Sequence, residues 1–218
     1  MAKRESVELV LEGAEIALKQ CVEDSVLKDV PFVGTLVKLY GIGGSIRDRL
    51  YAAKINRFLF CLSDVSMEQK DRMKESISAR EMESDKLSQK ILLALETQTD
   101  VEKSEVIANL FIAYLDRKIS FSNFRRAIDV TANCFLDDLN EFLKRDGFQG
   151  FMQKTFEELE REKISGLTNT PLIGIDRTSP DELRRERQES MVGVVLYETT
   201  DFSSIYLKAY HYGKECRT

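Results

Sequence analysis

The chain of 218 residues has no tryptophan, three prolines, four cysteines and one histidine. The single histidine, His211, excludes a histidine-rich metal site and leaves little for imidazole acid–base catalysis. The cysteines, Cys21, Cys61, Cys134 and Cys216, are far apart and include no CxxC pair, so they define no disulfide framework. No apolar run reaches the ~18 residues of a spanning helix. The start, MAKRESVELV, lacks the basic–apolar–cleavage order of a secretory leader. The expectation is a reducing, cytoplasmic setting, with cysteine serving as a small hydrophobe.

What is present is a globular composition, with 43% hydrophobic and 32% charged residues and apolar positions along the whole chain. The net charge of −5 is unevenly spread: residues 1–63 sum to +1, 64–163 to −5 and 164–218 to −1. The acidity belongs to the middle of the chain.

Helical periodicity dominates. Residues 6–29 place Val7, Leu11, Ala14, Leu18 and Val22 on one stripe, and Pro31 ends that element. Residues 31–46 hold one charge, Lys38, and four glycines. Ser45 predicts the start of a helix to about Leu62, with Tyr51, Ile55, Phe58, Leu59 and Leu62 inward and Arg47, Lys54 and Arg57 on another face. Ser66–Gln69 is a capping box for a helix to about Ile77. Ser84 opens a helix burying Leu87, Ile91, Ala94 and Leu95. Thr99–Glu102 is a further capping signal, before Ile107, Leu110, Phe111 and Tyr114. Ser120 caps a run with Phe121, Phe124, Ile128, Phe135 and Leu139 inward, and Gly147 fits its C-cap. Residues 150–163 read as an acidic helix. Beyond Ser165-Gly166 the character changes: Pro171, Gly174 and Pro180 mark a loop, 176–189 are densely charged, and MVGVVLYET (191–199) is the best strand. Thr200 caps a last helix with Phe202, Ile205, Tyr206 and Ala209 inward.

Three features invite a functional reading. Gly41–Ser45 before a helix has the look of a phosphate cradle, yet GxxxxGK[ST] and GxGxxG are both missing, and a hinge between helices explains it better. Residues 31–57 join a charge-poor segment, with Phe32, Leu36, Leu39, Tyr40 and Ile42, to the basic face of Arg47, Lys54 and Arg57. That pairing suits an anionic membrane surface or a partner groove. The alternative is a buried hairpin beside a solvated basic face. The order of elements after residue 119 suits a winged helix, but its recognition helix at 150–163 carries Glu157, Glu158, Glu160 and Glu162 against Lys154, Arg161 and Lys163. An acidic helix is repelled by phosphates, so protein contact is expected there, not DNA. Asp137, Asp138 and Glu141, like Glu157 and Glu158, read as solvated carboxylate faces.

Gly43-Gly44-Ser45-Ile46-Arg47-Asp48-Arg49-Leu50, with Lys54 and Phe58-Leu59, resembles a group of functionally uncharacterised bacterial helical proteins. The stretch Leu110–Leu115 with Lys118-Ile119-Ser120 and Phe124 is similar to the same group. Thr199-Thr200-Asp201-Phe202, after a small hairpin, resembles the abortive-infection alpha type of protein. These resemblances imply a bacterial source and a role in phage defence or stress, and they imply no catalytic residue or cofactor.

The sequence thus predicts a mainly α fold: a helical body over 1–118, then a module over 119–218 with a β-hairpin of winged-helix-like order. The leading functional expectation is a non-enzymatic accessory or effector protein. It would act through Phe32, Leu36, Leu39, Tyr40, Ile42, Arg47, Lys54 and Arg57, at a protein partner or at the inner-membrane surface, without a cofactor. The alternatives are a regulatory interaction module built on the hairpin region, and an enzyme with a carboxylate site.

Overall fold

A computed structural model describes residues 46–78, 81–144, 153–176 and 195–217. The fold is mainly helical, with one small two-stranded antiparallel ribbon. The helices are α1 (Ile46–Ser63), α2 (Met67–Ser78), α3 (Glu81–Thr97), α4 (Lys103–Leu115), α5 (Phe121–Asn133), α6 (Leu136–Leu143), α7 (Phe156–Arg161) and α8 (Asp201–Glu215). A 3-10 turn, Ser165–Asn169, leads into β1 (Ile173–Ile175), which pairs with β2 (Tyr197–Thr199).

The described chain forms two compact units. One comprises residues 46–133 together with 209–217, and the other comprises 134–208. The expected division near residue 118 falls between α4 and α5, both of which belong to the first unit.

In the first unit α4 is the central element. Every residue from Val106 to Leu115 is buried, and α1, α2 and α5 all pack on it. An aromatic cluster links them: Phe111 stands 5.9 Å from both Phe58 and Phe124, and Tyr114 stacks on Phe124 at 4.9 Å. Each such pair adds about 0.5–1.5 kcal/mol beyond the area it buries. Of the predicted α1 stripe, Ile55, Phe58, Leu59 and Leu62 are buried and Tyr51 is half-buried, and the predicted α3 stripe (Leu87, Ile91, Ala94, Leu95) is buried. Ser66 caps α2, its hydroxyl accepting from the Gln69 amide at 3.3 Å, and Ser120 does the same for Asn123 at 3.2 Å.

Two expectations fail locally. The Thr99–Glu102 signal does not cap α4: the Thr99 hydroxyl bonds to Asp100, and Glu102 makes no capping bond. Successive i→i+3 backbone bonds from Asp100, Val101 and Glu102 start the helix instead. The run after Ser120 is not one stripe, for α5 ends at Asn133, where the Lys103 ammonium takes the Ala132 carbonyl at 3.3 Å. Phe135 is extended, and α6 restarts with Asp137 and Asp138 in its first turn, where the helix dipole favours them. The reset turns Phe135 outward, 74% exposed, while Leu139 stays buried.

In the second unit only 156–161 of the expected 150–163 helix is helical among the described residues. Thr155 and Glu158 form a complete capping box. Thr200 caps α8 through the Ser203 amide at 3.3 Å and also donates to the Pro171 carbonyl at 2.6 Å. Phe202 and Tyr206 are buried as predicted, while Ile205 is only half-buried.

Candidate functional site

Phe32, Leu36, Leu39, Tyr40, Ile42, the Gly41–Ser45 turn and Gly147 lie outside the described residues, as do Cys21, the predicted helix over 6–29 and the charged stretch after Asp176. Arg47 lies in the first turn of α1, and its side chain is outside the description. Lys54 and Arg57 are described, and neither offers a free charge.

Lys54 is only 7% exposed, which corrects its place on a solvated basic face. Its ammonium donates to the Glu96 carbonyl at 3.2 Å and to the Gln98 carbonyl, closing the end of α3. The last carbonyls of a helix lack intrahelical donors, and a lysine from a neighbouring helix supplies one. Burial lowers the Lys54 pKa below its ordinary value, against the pull of Asp100 and Glu96.

Arg57 is exposed but bonded to Glu105. Glu105 also accepts from Arg217 Nη2 at 2.8 Å, and Arg217 Nη1 donates to Asn109 at 3.0 Å. The basic face therefore joins α1 to α4 and to the residues after α8. Beyond it, the Tyr212 phenol donates to Asp116, which faces Arg72 at 3.7 Å, and the Lys118 ammonium lies 4.9 Å over the Tyr212 ring. Burial, followed by the hydrogen bond to Asp116, raises the Tyr212 pKa.

Several described groups with catalytic potential have structural roles. His211 packs edge-on against Tyr210 at 5.2 Å, and its Nε2 is buried with no hydrogen-bond partner. Asp138 accepts the Gly166 amide at 2.7 Å. A Cβ at 166 would stand 2.7 Å from the same carboxylate oxygen, so a larger residue there must displace the Asp138 side chain. Glu158 completes the Thr155 box, and Glu141 pairs with Lys144 at 2.7 Å. No group of three or more His, Cys, Asp or Glu suited to a metal ion occurs among the described residues. No described helix is long and apolar enough to cross a membrane.

Among the described residues, the ribbon of the second unit carries a surface feature that sequence reasoning missed. Ile175 pairs directly with Tyr197, so both side chains lie on one side of it. Ile173, on the same side, is buried, but Ile175 is 60% exposed. Phe156 extends the patch, its ring 6.3 Å from that of Tyr197, at 43% exposure. Backbone bonds between Lys154 and Tyr197 hold the start of α7 against β2. Val195, two residues before Tyr197, is 49% exposed. Among the described residues beside the patch, Glu157 and Glu160 are exposed on α7 with Arg161 as the counter-charge, and Lys154 is tied to Glu162. The alternation of Val195 with Tyr197 was the one available signal, and it does not tell the covered end of a ribbon from the open one.

Comparison with known protein families, curated proteins and solved structures finds no match.

Proposed function

We propose that this chain is a non-enzymatic interaction protein whose contact surface is the open side of the ribbon, formed by Phe156, Ile175, Tyr197 and Val195. The carrying observation is the directly paired Ile175 and Tyr197, with Phe156 against Tyr197 and a large part of this apolar surface exposed. Aromatic and branched side chains gathered on one face, within a polar rim, have the composition of a protein contact.

The described part of the rim supports one class of partner. Glu157 and Glu160 repel phosphates, which disfavours nucleic acid and anionic lipid and favours a protein segment with apolar side chains flanked by lysine or arginine. Support also comes from the basic groups of α1: Lys54 and Arg57 are engaged within the first unit.

The test uses the full chain as bait against a displayed library of random peptides. The expected result is enrichment of basic–apolar sequences. Their binding is lost in Ile175→Asp, and thermal stability is unchanged. Peptides that bind Ile175→Asp as well as the parent overturn the proposal. Flotation with anionic phosphatidylglycerol vesicles at low salt is the second arm, and co-flotation of the parent overturns it in favour of a membrane.

A further inference from the structure

Residue pairs along an antiparallel ribbon alternate. One pair exchanges two hydrogen bonds, and the next turns its N–H and C=O groups away from the partner strand. Two bonds fix the alternation here: Asp176 N–H donates to the Leu196 carbonyl at 2.8 Å, and Thr200 N–H to the Leu172 carbonyl at 3.2 Å. Ile175 and Tyr197, one step inside the first of these, are therefore a pair of the second kind. Each directs one N–H and one C=O outward, at opposite edges of the ribbon.

The two edges differ. At the β2 edge both outward groups of Tyr197 are taken by Lys154, which donates at 3.0 Å and accepts at 2.8 Å in an antiparallel bridge. At the β1 edge no described residue bonds to the outward groups of Ile175, and Ile175 is 60% exposed. An edge residue with unpaired main-chain groups is a template for one more strand.

We propose that the partner segment binds as an added antiparallel strand on β1, bonded to the N–H and C=O of Ile175 as Lys154 is bonded to Tyr197. This rests on the reading of the ribbon as the contact surface and names how that surface recognises its partner. The partner residue opposite Ile175 lies on the same side of the ribbon, beside Ile175 and Tyr197, and is apolar. Its two neighbours in the segment lie on the other side. There Gly174 is paired with Glu198, which has no ion pair among the described residues, and basic side chains are favoured. The occupant is an extended protein segment in which apolar and basic residues alternate.

The probe is a fluorescein-labelled peptide, Arg-Val-Arg-Val-Arg-Val-Arg, titrated with the full chain and followed by anisotropy. Binding with a Kd below about 1 mM is expected. N-methylation of the valines removes the N–H groups that face β1 and is expected to weaken binding about tenfold or more. N-methylation of the inner arginines removes N–H groups that face solvent and is expected to change binding less than about twofold. Equal losses for the two methylated peptides, or a larger loss at arginine, overturn the added strand. Binding that Ile175→Asp abolishes but valine methylation does not affect also overturns it, and leaves the contact surface standing. Failure of the probe to bind, while peptides selected from the random library do, has the same meaning. Failure of both overturns the surface as well. Self-association of the chain alone in sedimentation, lost in Ile175→Asp, overturns the proposal in favour of a second copy on this edge.

Discussion

Gly213 of α8 lies directly against the backbone of Asn109 in α4: a Cβ at 213 would stand 2.5 Å from the Asn109 carbonyl carbon and 2.6 Å from its Cα. No side-chain rotation relieves an overlap with backbone. Gly213→Ala is therefore expected to force the two segments apart and cost about 3 kcal/mol or more. The urea midpoint of the variant checks this, and an unchanged midpoint refutes the close contact.

Acid is expected to weaken the first unit through Glu105. Burial pushes its carboxyl up, but the hydrogen bonds and charges of Arg57 and Arg217 outweigh this and hold it below its ordinary 4.5. A carboxyl with a folded pKa below its unfolded one contributes stability that is fully present above the unfolded value. That contribution is lost as pH falls through the folded value. Glu105→Gln should lower stability at neutral pH by about 1–3 kcal/mol and flatten the fall below pH 4.5. Denaturation curves across the acid range compare the two slopes.

Cys61 is expected to be a silent thiol. Burial pushes it up to about 11, and the charges of Arg217 and Arg57 only partly offset this. The thiolate is the nucleophile, so iodoacetamide at mild alkaline pH should leave Cys61 unmodified in the folded chain and alkylate it in denaturant. Peptide mapping after labelling decides, and prompt alkylation of the folded chain would contradict the burial.

Thr155→Ala is expected to cost about 1 kcal/mol, because the bond from the Glu158 amide to the Thr155 hydroxyl is lost at the start of a six-residue helix, while the backbone N–H at 155 keeps the Glu158 carboxylate. Thr155→Ser keeps the acceptor and should retain most of that stability. Thermal melts of the three proteins give the ranking.

Periodicity made much of the framework legible before any coordinates. The stripes of α1 and α3 and the caps at Ser66, Ser120 and Thr200 follow from local rules, because the same side chains that set the helical phase fill the core, whereas Ile173–Ile175 of the ribbon falls in the stretch read as a loop. The failures have a common origin in long-range pairing. Lys54 looked like a surface cation because its partners, the carbonyls of Glu96 and Gln98, are 42 and 44 residues away. Phe135 looked buried because the donor that ends α5, Lys103, comes from another helix. The open side of the ribbon was illegible for the same reason: its exposure depends on what packs beside Ile173 and not beside Ile175. The expected interaction residues before Ile46 lie outside the described residues, so the ribbon and α1 carry the comparison between sequence and fold.

The closure of the first unit by residues after Lys208 gives synthesis a direction that matters. Arg217 reaches Glu105 and Asn109 across 112 and 108 positions, and Tyr212 reaches Asp116 across 96. At about 5–20 residues per second, α4 waits roughly 5–20 s for these partners to leave the ribosome. During that interval a nascent chain carries that helix with one flank unsealed, which makes the last turns of α8 the clock for chaperone dependence.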